Sequence, residues 1–261
     1  MYLGLKKGWA KRVSYKENNK GATCKEIREF LNNSLKESNA ILNPVGENVI
    51  DKLLSEILNN AEDHSIHNEW YVNGVSYKEI VDGEPIIELN LGILNLGFSI
   101  AEGLSKSKEK NVDTIKEINE WYIRHYALME KKGDICFTKD DLYTLYCLQE
   151  GISRLKYEDE SRGRGTMNFI RAFITLGSFG EKNPQYKSHL NIISGKTIVN
   201  CDNKRKPYRK ENTFFLSLNK DNDINLLPDK EYLKHTHQKF PGTFLEVKIY
   251  LNKTYFKEIL P

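Results

Sequence analysis

The chain has 261 residues, 39% of them hydrophobic and 29% charged, with a net charge of +3 and a mean hydropathy of −0.58. That length buries a real core, and that composition is typical of a soluble globular protein. No run nears the roughly 18 apolar residues of a membrane span, Met1 to Lys20 is polar and basic without a signal-peptide core, and the charge is too small to demand a polyanionic partner; a cytoplasmic protein with no membrane partner is expected.

Taken in order, Met1 to Gly21 reads as an irregular arm, and Cys24 to Lys36 as a first helix with Ile27, Phe30, Leu31 and Leu35 at helical spacing. Asn43-Pro44-Val45-Gly46 is a breaker, followed by a second helix over roughly Glu47 to His64. Trp70 to Tyr77 and Ile86 to Asn95 predict strands, and a short helix covers Phe98 to Leu104. Asn111 to Lys131 is amphipathic, and Thr138 caps another helix carrying Leu142, Leu145 and Tyr146. After a charged loop ending in Ser-Arg-Gly-Arg-Gly-Thr, Met167 to Leu176 is again helical. Strands follow at His189 to Ile193, Thr197 to Cys201, Thr213 to Leu218 and Thr243 to Leu251. This order predicts an α+β fold, a sheet covered on one face by helices. Residues 1–42 form an arm and helix packed on or extending a main domain over 43–261, which carries a helical insertion around 106–135. The cysteines Cys24, Cys136, Cys147 and Cys201 have no Cys-x-x-Cys spacing, which argues against a zinc ribbon or a disulfide framework.

The second helix is the informative one. At about 100° per residue its apolar arc holds Ile50, Leu53, Leu54, Ile57, Leu58 and Ala61, while Glu56, Asn60 and Asp63 fall within about 60° of one another at the arc's edge. Carboxylates and an amide at the border of a buried face are hydrogen-bonded to something or hold a ligand.

Four short elements then line up, and together they resemble the Bergerat-fold ATPases, the superfamily of gyrase B subunits, large heat-shock chaperones and histidine kinases, in its small bacterial ATP-binding branch. Glu56-Ile-Leu-Asn-Asn60-Ala-Glu-Asp63-His64 looks like the N box. Leu94-Asn95-Leu96-Gly97-Phe98-Ser99 is similar to the G1 box, with Asn95 where the family has aspartate and Ser99 where it has a second glycine; Asn90-Leu91-Gly92 is a competing alignment. Arg162-Gly163-Arg164-Gly165-Thr166 resembles the G2 box at the ATP lid, and Pro241-Gly242-Thr243-Phe244 the closing Gly-Thr box. The resemblance covers roughly Asn43 to Leu251.

It implies a Bergerat-type two-layer sandwich with a mixed sheet and an ATP lid, binding ATP and Mg2+. Glu56 would activate the attacking water and Asn60 would complete the magnesium shell, with Asp63 beside them. Asn95, Gly97 and Thr243 would receive adenine, and Arg162, Gly163, Arg164, Gly165 and Thr166 would cradle phosphates. The activity implied is slow, magnesium-dependent ATP hydrolysis that switches conformation or partner binding. An anti-sigma-type serine/threonine kinase and a non-catalytic nucleotide sensor are the alternatives. A protein partner or a homodimer is expected to carry the output. Lys204-Arg-Lys-Pro-Tyr-Arg-Lys210 is the densest basic run and reads as a solvated hairpin loop, with nucleic-acid contact as the minor reading. His235 and His237 read as solvated loop residues.

Overall fold

The computed structural model describes residues 7–14, 20–36, 39–152, 163–177 and 183–259, with only the backbone at 7–14, 20, 62–69, 184 and 258. In chain order the elements are β1 (Lys7–Ser14), α1 (Lys20–Lys36), β2 (Ala40–Leu42), α2 (Pro44–His64), β3 (Ser65–Val81), β4 (Glu84–Gly97), α3 (Ile100–Lys106), α4 (Val112–Lys132), α5 (Lys139–Cys147), α6 (Gly165–Leu176), β5 (His189–Cys201), β6 (Tyr208–Lys210), β7 (Thr213–Phe215), β8 (Leu233–Leu251) and β9 (Phe256–Glu258). Five strands make one sheet in the order β1-β3-β4-β8-β5, and β2 with β9 and β6 with β7 make two small ribbons.

The fold is α+β, as the sequence predicts, with two corrections. Every described strand pair is antiparallel, so the sheet is not mixed. The predicted strands at Trp70 to Tyr77 and Ile86 to Asn95 lie within β3 and β4, with β4 at the centre of the sheet. β3 and β4 form a hairpin whose two-residue loop, Asp82-Gly83, has φ of 51° and 83°, a geometry that suits the right-handed twist of the flanking strands. The arm is likewise not irregular throughout. Residues 7–14 pair along β3 from Lys7 opposite Ser76 to Ser14 opposite Glu69, which makes β1 an edge strand of the main sheet.

Alternation along β4 turns Ile87, Leu89, Leu91 and Ile93 toward the helices, all buried. The next residue in that row is Asn95, an amide at the end of an apolar file and only 2% exposed. Above it lies α2, whose Ile50, Leu53, Leu54, Ile57 and Leu58 are fully buried and whose Ala61 closes the stripe. The predicted breaker at Asn43-Pro44 is the start of this helix. Pro44 takes the first position, where its missing N–H is not needed, and the Asn43 side chain accepts from the Gly46 N–H at 2.9 Å.

The segment around 106–135 contains α4, which packs on α5. Between them His125 is buried and hydrogen-bonds the Tyr146 hydroxyl. Burial pushes the His125 pKa from 6.5 down to about 4. The folded state therefore keeps His125 neutral, with its contribution fully present above pH 6.5 and lost as pH falls from 6.5 through 4. At 1.36 kcal/mol per pKa unit the contribution is at most about 3 kcal/mol. Urea midpoints measured across that window are expected to fall, and to fall less in His125→Gln.

Candidate functional site

Glu56 and Asn60 stand one turn apart on α2 and face the first turn of α6. A Cβ placed on Gly165 would lie 2.7 Å from Glu56 Oε2 and 4.0 Å from Asn60 Oδ1, so a side chain here would push the Glu56 carboxylate aside. Asn60 Nδ2 donates to Thr166 Oγ1 at 3.4 Å, and Asn168 Nδ2 donates to Glu56 Oε1 at 3.4 Å. Arg164 stands at the N-cap of α6 without a side-chain cap, and among the described residues no side chain caps its first-turn amides. A carboxylate, an amide oxygen and an uncapped helix N-terminus thus share one small region.

The chain reaches α6 through a tight closure. Gly151 N–H donates to Gly163 O at 2.8 Å, and Gly163 has φ of 98° with its missing Cβ only 2.8 Å from the Gly151 carbonyl carbon. Gly163→Ala is therefore expected to lower stability by about 1–3 kcal/mol, through positive φ and backbone overlap together, as read from a thermal melt. Beside this closure Glu150 accepts from Phe214 N–H at 2.7 Å, and the exposed Arg164 lies 3.9 Å from its other oxygen. Arg162 lies outside the described residues, and for Asp63 the backbone alone is described, within α2.

A second polar group is built on the adjoining side of α2. Asn95 and Thr243 are directly paired across β4 and β8. Asn95 Oδ1 accepts from Thr243 N–H at 3.1 Å, and its Nδ2 donates to Ala61 O at 3.0 Å. Thr243 Oγ1 is 2.9 Å from Ser194 Oγ, which accepts from Ile100 N–H at 2.8 Å. Gly97 ends β4, and Gly242 opposite Leu96 approaches it so closely that an added Cβ would be 3.0 Å from Gly97 N. Ser99 and Glu102 form a capping box on α3; the Lys239 ammonium and the Ser99 N–H hold the Glu102 carboxyl below its usual range. Because Asn60 and Ala61 are neighbours on α2, the two polar groups are contiguous.

The structure thus brings Glu56, Asn60, Gly165 and Thr166 to one place and Asn95, Gly97 and Thr243 to the next. Asn95 is not a free acceptor, since both ends of its amide are engaged inside the protein. Three participants escaped the sequence reading: Asn168, Ser194 and the Ala61 carbonyl. Asn168 lies one turn beyond Gly165 on α6 and was legible by that spacing; Ser194 and a main-chain carbonyl carried no signal.

The basic run leads into the β6–β7 hairpin with Lys204, Lys206, Arg209 and Lys210 exposed, while Arg205 pairs with Asp229 at 2.8 Å and Arg209 bonds Asn212. One other expectation changes. His235 is on β8, not in a loop, and its Nδ1 is 3.2 Å from Asp141 Oδ2.

No family model, no curated protein and no solved structure matches this chain. Among the described residues no group of three His, Cys, Asp or Glu side chains is placed to hold a metal. A magnesium ion bound jointly with phosphates needs fewer protein ligands; the hard amide oxygen of Asn60 is of the right chemistry for the ion, and the first-turn amides of α6 for the phosphates.

Proposed function

We propose that this chain is a Bergerat-type nucleotide-binding domain that hydrolyses a nucleoside triphosphate, ATP being the one its motifs imply. The observation that carries this reading is the meeting of Glu56 and Asn60 with the uncapped first turn of α6, reached through the glycines of Arg162-Gly163-Arg164-Gly165. Described residues of all four motifs lie near the C-terminal parts of α2 and β4, which supports this reading.

In this mechanism the first-turn amides of α6 and the Arg164 guanidinium bind the phosphates. Asn60 Oδ1, whose amide is oriented by Thr166, would hold magnesium, which supplies charge neutralisation to the phosphate oxygens. Glu56 accepts a proton from a water as that water's oxygen bonds the terminal phosphorus and the bond to the bridging oxygen breaks, releasing nucleoside diphosphate and phosphate. Asn168 steadies the carboxylate from α6, so water activation depends on the two helices staying in contact.

The test is the fate of a terminally labelled triphosphate. Label released as inorganic phosphate with magnesium present, and retained without it, supports hydrolysis. Label found on a protein serine or threonine would instead favour the kinase alternative, and label left wholly on the nucleotide the sensor.

A further inference from the structure

The buried network at the end of β4 has a direction, and that direction bears on which base the site takes. Ser194 Oγ already accepts the Ile100 N–H. Ser194 is 1% exposed, and among the described residues the one acceptor within reach of its own proton is Thr243 Oγ1, 2.9 Å away. An unpaired hydroxyl proton there would carry a desolvation penalty, so Ser194 donates to Thr243. The Thr243 hydroxyl proton is then left without an acceptor among the described residues.

Asn95 follows the same logic. Its amide orientation is fixed from both sides, because Thr243 N–H demands the oxygen and Ala61 O demands the nitrogen. Ala61 sits in the last turn of α2, and Asn95 gives its carbonyl a side-chain donor. A carboxylate at this position would set acceptor against acceptor at the negative end of the helix, which is a physical reason for asparagine here. One Nδ2 hydrogen remains beyond the one given to Ala61.

We propose that Thr243 Oγ1–H and the second Nδ2–H of Asn95 form a donor pair that selects a 6-oxopurine, guanine or hypoxanthine, over adenine. The inference rests on the reading of Asn95 and Thr243 as the base end of a nucleotide site. An oxygen at purine position 6 accepts from this pair, whereas the adenine amino group brings further donors and leaves the site's own hydrogens unpaired. A site built to hydrogen-bond one partner rejects the analogue that leaves its polar groups unpaired.

The experiment is calorimetry of the wild-type chain with ADP, GDP and IDP in the presence of magnesium; diphosphates leave no terminal phosphate to hydrolyse. IDP or GDP binding at least tenfold tighter than ADP is expected. ADP binding as tightly as both, or more tightly, overturns the inference and leaves the nucleotide reading standing. No binding by any of the three overturns both. Asn95→Asp is expected to reverse the preference, though loss of the Ala61 bond can unfold it. Thr243→Val tests the same point without that risk to α2: IDP affinity is expected to fall about tenfold and ADP affinity much less. An equal fall for the two counts against the donor pair.

Discussion

Glu56→Gln is expected to leave nucleotide binding intact and to reduce phosphate release by about 10²–10⁴-fold, the range of a positioned general base. The substitution keeps the size of the side chain and can still bond Asn168, so the α2–α6 contact survives. What it loses is the ability to take a proton. Direct binding of a diphosphate and phosphate release from a triphosphate, measured on the same preparation, separate these effects. Release at the parental rate would remove Glu56 from the chemistry. Weaker diphosphate binding would show instead that the carboxylate holds the site's shape.

The second large effect lies away from the candidate site, at Asp141. This carboxylate is fully buried and accepts from Thr138 N–H at 2.8 Å, Thr138 Oγ1 at 2.7 Å, Thr197 Oγ1 at 2.7 Å and His235 Nδ1 at 3.2 Å. It therefore completes the capping box of α5 and pins that helix to β5 and β8. Asp141→Ala strands the buried Thr197 hydroxyl and removes the acceptor of the exposed Thr138 cap and of His235, and is expected to cost about 2–4 kcal/mol. A urea midpoint lowered accordingly, with the slope unchanged, is the expected observation; a change within about 0.5 kcal/mol would mean the donors find other partners. Thr197→Val removes one donor together with its need for a partner, and its expected effect is much smaller.

Local structure was legible where periodicity and capping speak for themselves. The stripe Ile50, Leu53, Leu54, Ile57 and Leu58 is fully buried, and Thr138 caps α5 with Asp141. The polar edge of α2 was legible too, because an amide and a carboxylate at the margin of a buried stripe call for partners, and α6 brings them. Long-range pairing was less accessible. Residues 7–14 have no apolar alternation, and their place in the sheet comes from the exposed edge that β3 offers them. His235 reads as a loop residue because its strand is polar, and only the approach of Asp141, 94 positions earlier, gives it a role. Asn95 shows the limit most clearly. Its row on β4 could be read from alternation, but the carbonyl that demands an amide there belongs to a helix 34 residues away.

The central claim is that α2 and the first turn of α6 together hold the phosphates of a magnesium-bound nucleoside triphosphate. Calorimetry of the wild-type chain and of Asn60→Ala, with non-hydrolysable ATP and GTP analogues and with and without magnesium, tests it most directly. The account predicts saturable one-to-one binding that magnesium tightens, with the magnesium effect lost in Asn60→Ala. Absence of binding to either analogue, or a magnesium effect that persists in Asn60→Ala, would contradict it.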